Sequence, residues 1–164
     1  MLIRKINDSD IDTIVKIYNH YIENTVFTFE EDPITSDIIS KRVKKLEKAD
    51  LPWLVVESEG EVKGYAYASP WHTRSAYRYT VEPTIYLSPD THGKGLGRSL
   101  YTTLIELLKE QGIKNIISVI TKPNPASVKL HESLGFRQVG EFSNIGFKFN
   151  RDISVGYWQL ALQN

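Results

Sequence analysis

The sequence has no cysteine, which excludes disulfides, thiolate metal sites and a cysteine nucleophile. It has four histidines, no two of them spaced as a helical pair, so we expect no metal site. No apolar run approaches the roughly 18 residues that a membrane span requires. The 20 basic and 20 acidic residues balance, and this balance gives no reason to expect nucleic acid or an anionic membrane as a partner.

The N-terminal segment does not resemble a signal peptide, because charged residues interrupt its short apolar run. We therefore expect a cytoplasmic protein. With 164 residues, of which 41% are apolar, the chain can bury one core. No linker, repeat or low-complexity tract divides it, so we predict a single domain over residues 1–164.

Hydrophobic periodicity predicts the order β-α-α-β-β-β-α-β-α-β-β. Asp8 or Ser9 is expected to cap the first helix, Thr35 the second, and Glu59-Gly60 to turn a hairpin. The later elements are predicted as strand 81–87, helix 98–111, strand 115–120, helix 125–134 and strands 136–142 and 153–162. This order predicts an α/β (α+β) fold in which a mixed sheet carries helices on its faces.

The most informative segment joins strand 81–87 to the long amphipathic helix. It reads His92-Gly93-Lys94-Gly95-Leu96-Gly97-Arg98, and its glycines allow positive φ and a close approach to a ligand. The first amides of a helix lack internal partners and carry partial positive charge. A cation at a helix N-terminus is unfavourable unless an anion binds there, so Arg98 and Lys94 strengthen the prediction of a pyrophosphate site. The alternative is a glycine-rich strand-to-helix turn with solvated charges.

A short polar helix follows the next strand. Asn124 suits its N-cap and Pro125 its first turn. Ser127 and His131 share a face with Asn124, at i+3 and i+7. This face predicts one wall of a ligand site, although capping alone and a structural histidine are alternatives.

Glu82 is a candidate general base at the start of strand 81–87. It precedes Pro83, which favours an extended conformation and cannot join a regular ladder. We therefore expect a sheet edge or a bulge there, and bulges re-aim side chains near active sites. The alternative is an exposed glutamate at a strand end.

The aromatic and cationic segment 70–80 is a candidate acceptor pocket. Arg74 can bind a carboxylate through two parallel hydrogen bonds. Aromatic side chains nearby would surround an apolar group and desolvate an amine. They are Trp71, Tyr77 and Tyr79, with Phe27 and Phe29 from an earlier loop. The alternative is a structural aromatic cluster with a solvated arginine.

These motifs resemble the GNAT superfamily of N-acetyltransferases. Its members carry Gln/Arg-x-x-Gly-x-Gly/Ala at the strand-to-helix junction, and residues 92–97 are similar, with His92 in place of Gln or Arg. Four segments are similar to the phosphinothricin and methionine-sulfoximine acetyltransferase branch: 19–29, 52–71, 86–104 and 123–136. The likeness extends from about residue 3 to residue 162.

The resemblance implies the GNAT fold, with a mixed, mostly antiparallel sheet of about seven strands and helices on both faces. It implies acetyl-CoA as cosubstrate, no metal, a homodimer, and direct transfer in a ternary complex. The acceptor would be the amine of a small molecule of the phosphinothricin, methionine sulfoximine or methionine sulfone type. Cosubstrate contacts are expected at Ile85, Tyr86, Leu87, Gly93, Lys94, Gly95, Leu96, Gly97, Arg98, Asn124 and Ser127.

The resemblance also implies catalytic roles. Glu82 would take the amine proton, and His131, where most members carry tyrosine, would protonate the departing thiolate. Phe29, Arg74 and Tyr77 would contact the acceptor. Ser133 occupies a position where lysine is frequent.

Other functions stay open at this point. The chain could acetylate protein N-termini or polyamines, although a polyamine pocket would favour carboxylates over Arg74. A non-catalytic acyl-CoA-binding module would bind CoA without releasing thiol. A nucleotide-phosphate-binding domain is disfavoured, since a Walker sequence requires Ser or Thr where Gly95 follows Lys94, and residues 113–117 lack the acidic residue of a dinucleotide fingerprint.

Overall fold

The computed structural model describes residues 1–91 and 93–163, so His92 of the glycine-rich turn lies outside the described residues. The strands are β1 (Leu2–Lys5), β2 (Trp53–Ser58), β3 (Glu61–Pro70), β4 (Thr80–Leu87), β5 (Asn115–Lys122), β6 (Arg137–Lys148) and β7 (Arg151–Ala161). The α-helices are α1 (Ile11–Asn24), α2 (Ser36–Lys48), α3 (Leu96–Glu110) and α4 (Pro125–Ser133). None of the helices described is long and apolar enough to cross a membrane.

The strands form one sheet in the order β1-β2-β3-β4-β5-β7-β6. Every neighbouring pair is antiparallel except β4 and β5, which confirms the predicted mixed, mostly antiparallel sheet. The parallel pair is joined only at Thr80↔Asn115 and Val81↔Ile116. Beyond Val81 the two strands separate, and backbone groups along that side of β4 have no strand partner, so a ligand can bind them.

Helices cover both faces of the sheet, as predicted. The apolar stripes of α1 and α2 pack with Trp53, Val55 and Tyr65 of the sheet on one face. On the other face, α3 buries Leu100 and Leu104 completely, and α4 packs against the same cluster. Full burial of one such side chain contributes about 1.5–3 kcal/mol to stability. The several buried residues on each face together hold the helices against the sheet.

A short 3₁₀ turn at Asp8–Asp10 leads into α1, and its cap differs from the prediction. Asn7, rather than Asp8 or Ser9, is the capping residue: its side chain accepts a hydrogen bond from the Ser9 N–H. The Asp10 carboxylate accepts in return from the Asn7 N–H at 2.8 Å, which completes a capping box. The expected Thr35 cap of α2 is present.

Several element boundaries differ from the prediction, most of them by one or two residues, and two of the differences have a clear structural reason. α3 begins at Leu96, two residues before the expected Arg98, because Gly95 with φ 71° starts the helix directly. β6 continues past Phe142 to Lys148, because an irregularity between Phe142 and Gly146 allows its pairing with β7 to resume.

Candidate functional site

A cleft of about 820 Å³ opens where β4 and β5 separate, a volume typical of small-molecule sites. Its walls are β4, β5, the N-terminal turn of α3, one face of α4 and the loop between α1 and α2. The cleft thus brings together residues from distant parts of the chain. Predicted site residues that line it are Phe29, Glu82, Ile85, Tyr86, Leu87, Gly95, Gly97, Arg98, Asn124, Ser127 and His131.

The glycine-rich turn has the conformation that its composition favours. Gly93 and Gly95 adopt φ of 69° and 71°, a region that side-chain-bearing residues rarely enter. The first helical hydrogen bond at this end joins the Ser99 N–H to the Gly95 carbonyl at 3.1 Å. The amides of Leu96 to Arg98 precede that bond and have no partner inside the helix, so they are available to an anion.

Gly97 brings the helix close to the strand. A Cβ atom at this position would lie 3.1 Å from Leu87 Cδ1, tighter than an ordinary carbon contact of about 3.5–4.0 Å. Glycine therefore allows the start of α3 to pack directly on the end of β4. This packing places the free amides at the open end of the cleft.

The cations of the turn are exposed. Arg98 Nη1 donates to Ser133 Oγ at 2.8 Å, and Lys94 Nζ lies 3.9 Å from a Glu59 carboxylate oxygen. Ser133 thus accepts a hydrogen bond from a neighbouring guanidinium. Gly93, Lys94 and Leu96 are not among the residues that line the cleft, and the Leu96 side chain is buried in the core.

Glu82 lies one residue beyond the last pairing of β4 with β5. No register shift interrupts the pairing of Pro83 with Ala68 on β3, so the expected bulge is absent and the edge alternative applies. Glu82 is half-buried and lines the cleft. Burial raises the pKa of its carboxyl group above the usual value, which makes the carboxylate a stronger base.

His131 is buried, with 3% of its surface exposed. Its Nδ1 lies 2.7 Å from the Ser127 carbonyl oxygen. Because a carbonyl can only accept, Nδ1 carries the hydrogen and Nε2 is left as an acceptor. Burial lowers the pKa of His131, although the Ser127 carbonyl opposes this shift, so the neutral ring is favoured.

Two hydroxyl groups compete for His131 Nε2. Tyr101 Oη lies 2.9 Å away and Ser118 Oγ 2.8 Å away, but a neutral imidazole offers one lone pair there. Tyr101 is fully buried, and its hydroxyl also has Ser118 as a hydrogen-bond partner. His131 Nε2, Tyr101 and Ser118 therefore form one network. Ser118 is the hydroxyl of this network that lines the cleft.

Tyr101 and Ser118 were not predicted as site residues. The only signal for Ser118 is a lone hydroxyl within the apolar run of residues 116–120. Asn124 behaves as expected, since its side chain accepts from the Ser127 N–H at 3.3 Å and caps α4. Ser127 Oγ also lies 3.3 Å from His131 Nδ1, so the predicted polar face is continuous.

The candidate acceptor residues do not share one cavity. Phe29 lines the cleft with Glu82, whereas Arg74 and Tyr77 line a neighbouring cleft of about 1020 Å³ beside α2. The segment after β3 is carried there through a short 3₁₀ turn at Ser75–Tyr77. The two clefts meet at Tyr67 and Ser69, which line both.

Comparison with known proteins points in one direction. The sequence model of the acetyltransferase (GNAT) domain matches residues 3–155. Phosphinothricin N-acetyltransferase of Streptomyces viridochromogenes is 41% identical over 96% of this chain and 85% of its own length. The L-methionine sulfoximine/L-methionine sulfone acetyltransferase of Salmonella typhimurium is 34% identical over 99% of this chain and 95% of its own length.

A solved structure shows the same architecture. The GNAT superfamily phosphinothricin acetyltransferase of Sinorhizobium meliloti, solved in complex with acetyl-CoA, superposes with a TM-score of 0.94 at 35% identity. The match covers 98% of this chain and 88% of that one.

Proposed function

Since the chain belongs to the GNAT acetyltransferase family, we propose that it transfers an acetyl group from acetyl-CoA to the amine of a small amino-acid-like acceptor. The relatives named for phosphinothricin, methionine sulfoximine and methionine sulfone indicate the acceptor class. The observation that carries the proposal is the opening between β4 and β5, which ends at the free amides of α3. We further propose a single domain over residues 1–164 and a cytoplasmic location.

The start of α3 is proposed to bind the diphosphate of acetyl-CoA. The amides of residues 95–98 would donate to its oxygens, and Arg98 and Lys94 would supply positive charge. Gly93, with its positive φ, allows the turn to adopt its conformation. Along β4, the backbone of Ile85 to Leu87 would hold the pantetheine arm, and an amide there aimed at the thioester oxygen would stabilise the oxyanion. Asn124 and Ser127 would contact the arm from α4.

Glu82 is proposed to be the general base. An acceptor amine is largely an ammonium at neutral pH and has no lone pair until it loses a proton. The Glu82 carboxylate would accept that proton, directly or through water. The nitrogen then attacks the thioester carbonyl carbon, the C–S bond breaks, and the sulfur leaves as thiolate, while the new amide nitrogen loses its second proton to solvent. The raised pKa of Glu82 supports this role.

His131 is proposed to act at the leaving sulfur. The family resemblance implied that it would protonate the thiolate itself, but a neutral ring with hydrogen on Nδ1 has none to donate from Nε2. We propose instead that His131 accepts from Tyr101 and so leaves the Ser118 hydroxyl free to donate to the thiolate. The thiolate takes its proton from solvent on release. Because the amine attacks the thioester directly, no acyl-enzyme is required.

Arg74→Ala should raise the acceptor KM without weakening acetyl-CoA binding. Arg74 is exposed and lines the cleft that meets the Glu82 cleft at Tyr67 and Ser69. Its long side chain can therefore bring the guanidinium to the acceptor carboxylate. Tyr77 and Phe29 would contact the rest of the acceptor. We expect about a tenfold rise, the loss of roughly 1.4 kcal/mol from a charged hydrogen bond.

Steady-state kinetics with each substrate varied in turn tests this role of Arg74. The matched control is Lys41→Ala, which removes a cation from an exposed position on α2 outside both clefts. It should leave both KM values unchanged. An equal rise in both KM values of Arg74→Ala, or no rise, would reject Arg74 as the carboxylate contact.

A homodimer is also proposed. β6 and the turn after it expose large apolar side chains: Val139, Phe142, Ile145, Phe147 and Phe149. Several large exposed apolar side chains on one element are typical of a protein interface. A second copy of this chain would remove these side chains from water.

The proposed activity is tested by release of free thiol from acetyl-CoA across a panel of amines. Phosphinothricin, methionine sulfoximine and methionine sulfone should give the fastest release. Faster release with peptide N-termini or spermidine would favour the corresponding alternative acetyltransferase. CoA binding with no thiol release for any amine would indicate a non-catalytic module.

A further inference from the structure

The loop between α1 and α2, residues 25–35, forms the acceptor side of the cleft through Phe27, Thr28 and Phe29. Phe29 is 42% exposed, so packing inside its own loop does not fix its ring. The ring instead lies against Gly146 on β6. A Cβ atom added to Gly146 would lie 2.6 Å from Phe29 Cε2 and 3.0 Å from Cε1, and closer still to Cζ.

Gly146 therefore sets how far the Phe29 ring can retreat from the cleft. Carbon atoms in contact lie about 3.5–4.0 Å apart, so any larger residue at this position would push the ring by roughly 1 Å or more. The atoms that a Cβ would meet are at the free end of a side chain. The ring can move while the backbone of the loop and of β6 stays in place.

Lys148, two residues further along β6, holds the same loop. It shares a face of the strand with Gly146 and is only 2% exposed. Its Nζ donates to the Thr28 carbonyl oxygen at 2.9 Å, and Thr28 Oγ1 lies 2.8 Å from Tyr18 Oη. Burying an ammonium is costly unless it is well paired, so the bond to the Thr28 carbonyl ties this lysine to the loop.

We propose that Gly146 and Lys148 are positioning residues for the acceptor. Gly146 fixes the depth of the Phe29 ring, and Lys148 fixes the backbone of Thr28 beside it, so β6 sets the width of the acceptor side of the cleft. This inference rests on the proposed acetyltransferase activity. Gly146 and Lys148 do not line the cleft themselves. The inference therefore assigns acceptor selectivity to residues outside it.

Gly146→Ala is expected to raise the KM for methionine sulfone by about ten- to a hundredfold, because a displacement of about 1 Å costs that much in a fitted site. The Kd for acetyl-CoA, measured by calorimetry, should stay unchanged. Gly140→Ala is the matched control, since it lies on the same strand and an added Cβ there meets nothing within 4 Å. It should leave both constants unchanged.

A double variant separates positioning from a loss of folding. Phe29→Leu in the Gly146→Ala background makes room for the new methyl group, so the double variant should have the same acceptor KM as Phe29→Leu alone. Lys148→Met should raise the same KM, and Lys148→Arg, which keeps the donor, should raise it less. Far-UV circular dichroism and the thermal midpoint show whether each variant is folded.

Several results would overturn the inference. One is an unchanged acceptor KM in folded Gly146→Ala, and another is a parallel loss of acetyl-CoA affinity. A third is an additive effect of Gly146→Ala and Phe29→Leu on the acceptor KM. If the wild-type protein acetylates none of the acceptors, the proposed function fails instead, and this outcome is seen before any variant is made.

Discussion

Glu82→Gln is expected to lower kcat for the acceptor by about 10²- to 10⁴-fold, the range that general base catalysis contributes. The amide is nearly the same size as the carboxylate and cannot accept a proton at neutral pH. Glu82 lies at the point where β4 leaves β5, so the change leaves the diphosphate site untouched. Steady-state kinetics and acetyl-CoA calorimetry measure the two effects separately.

The pH dependence gives a second readout of the same variant. A general base works in its deprotonated form, and burial raises the pKa of Glu82. The acid limb of the kcat/KM profile should therefore lie above the pH at which an ordinary carboxylate titrates, with activity falling as pH falls through that pKa. In Glu82→Gln this limb should disappear. The control is Glu106→Gln, at an exposed position on α3. Unchanged turnover in Glu82→Gln would reject Glu82 as the base.

His131→Phe is expected to slow the chemical step by about 10²-fold or more while CoA still binds. It should also lower the free energy of unfolding by about 1–3 kcal/mol, because Tyr101 Oη and the Ser127 carbonyl lose their buried partner. Single-turnover kinetics and denaturant titration measure the two effects. Full activity of this variant would return His131 to a purely structural role.

Two further variants separate the contributions within the His131 network. Ser118→Ala should reproduce much of the loss in the chemical step with little loss of stability, since Ser118 is the hydroxyl that faces the cleft. Tyr101→Phe should leave His131 Nε2 free to accept from the Ser118 hydroxyl. The Ser118 hydrogen would then point away from the sulfur. A Ser118→Ala variant with unchanged turnover would contradict the assignment of its hydroxyl to the thiolate.

Local signals predicted much of this molecule. The glycine-rich turn, the Asn124 cap and the hairpin at Glu59-Gly60 depend on residues within a few positions of one another, and φ values of 56° and 80° at that hairpin match a tight turn. The free amides at the start of α3 follow from helix geometry alone. These features require no knowledge of which strands are neighbours.

Long-range contacts account for what the sequence could not predict. Lys148 and Thr28 are 120 residues apart, and no periodicity relates them. The contact of Phe29 with Gly146 and the bond of Tyr101 to His131 also depend on how separate elements pack. Segment 70–80 has no clear period, so the sequence could not show that Arg74 would lie in a neighbouring cleft.

The opening between β4 and β5, with the start of α3 at its end, is the proposed acetyl-CoA site on which every other assignment depends. A crystal structure of the protein soaked with acetyl-CoA tests this site most directly. We expect the diphosphate within hydrogen-bond distance of the amides of residues 95–98 and the thioester between Ile85 and Ser118. Density for the cosubstrate elsewhere, or an α3 terminus without it at saturating concentration, would contradict the assignment.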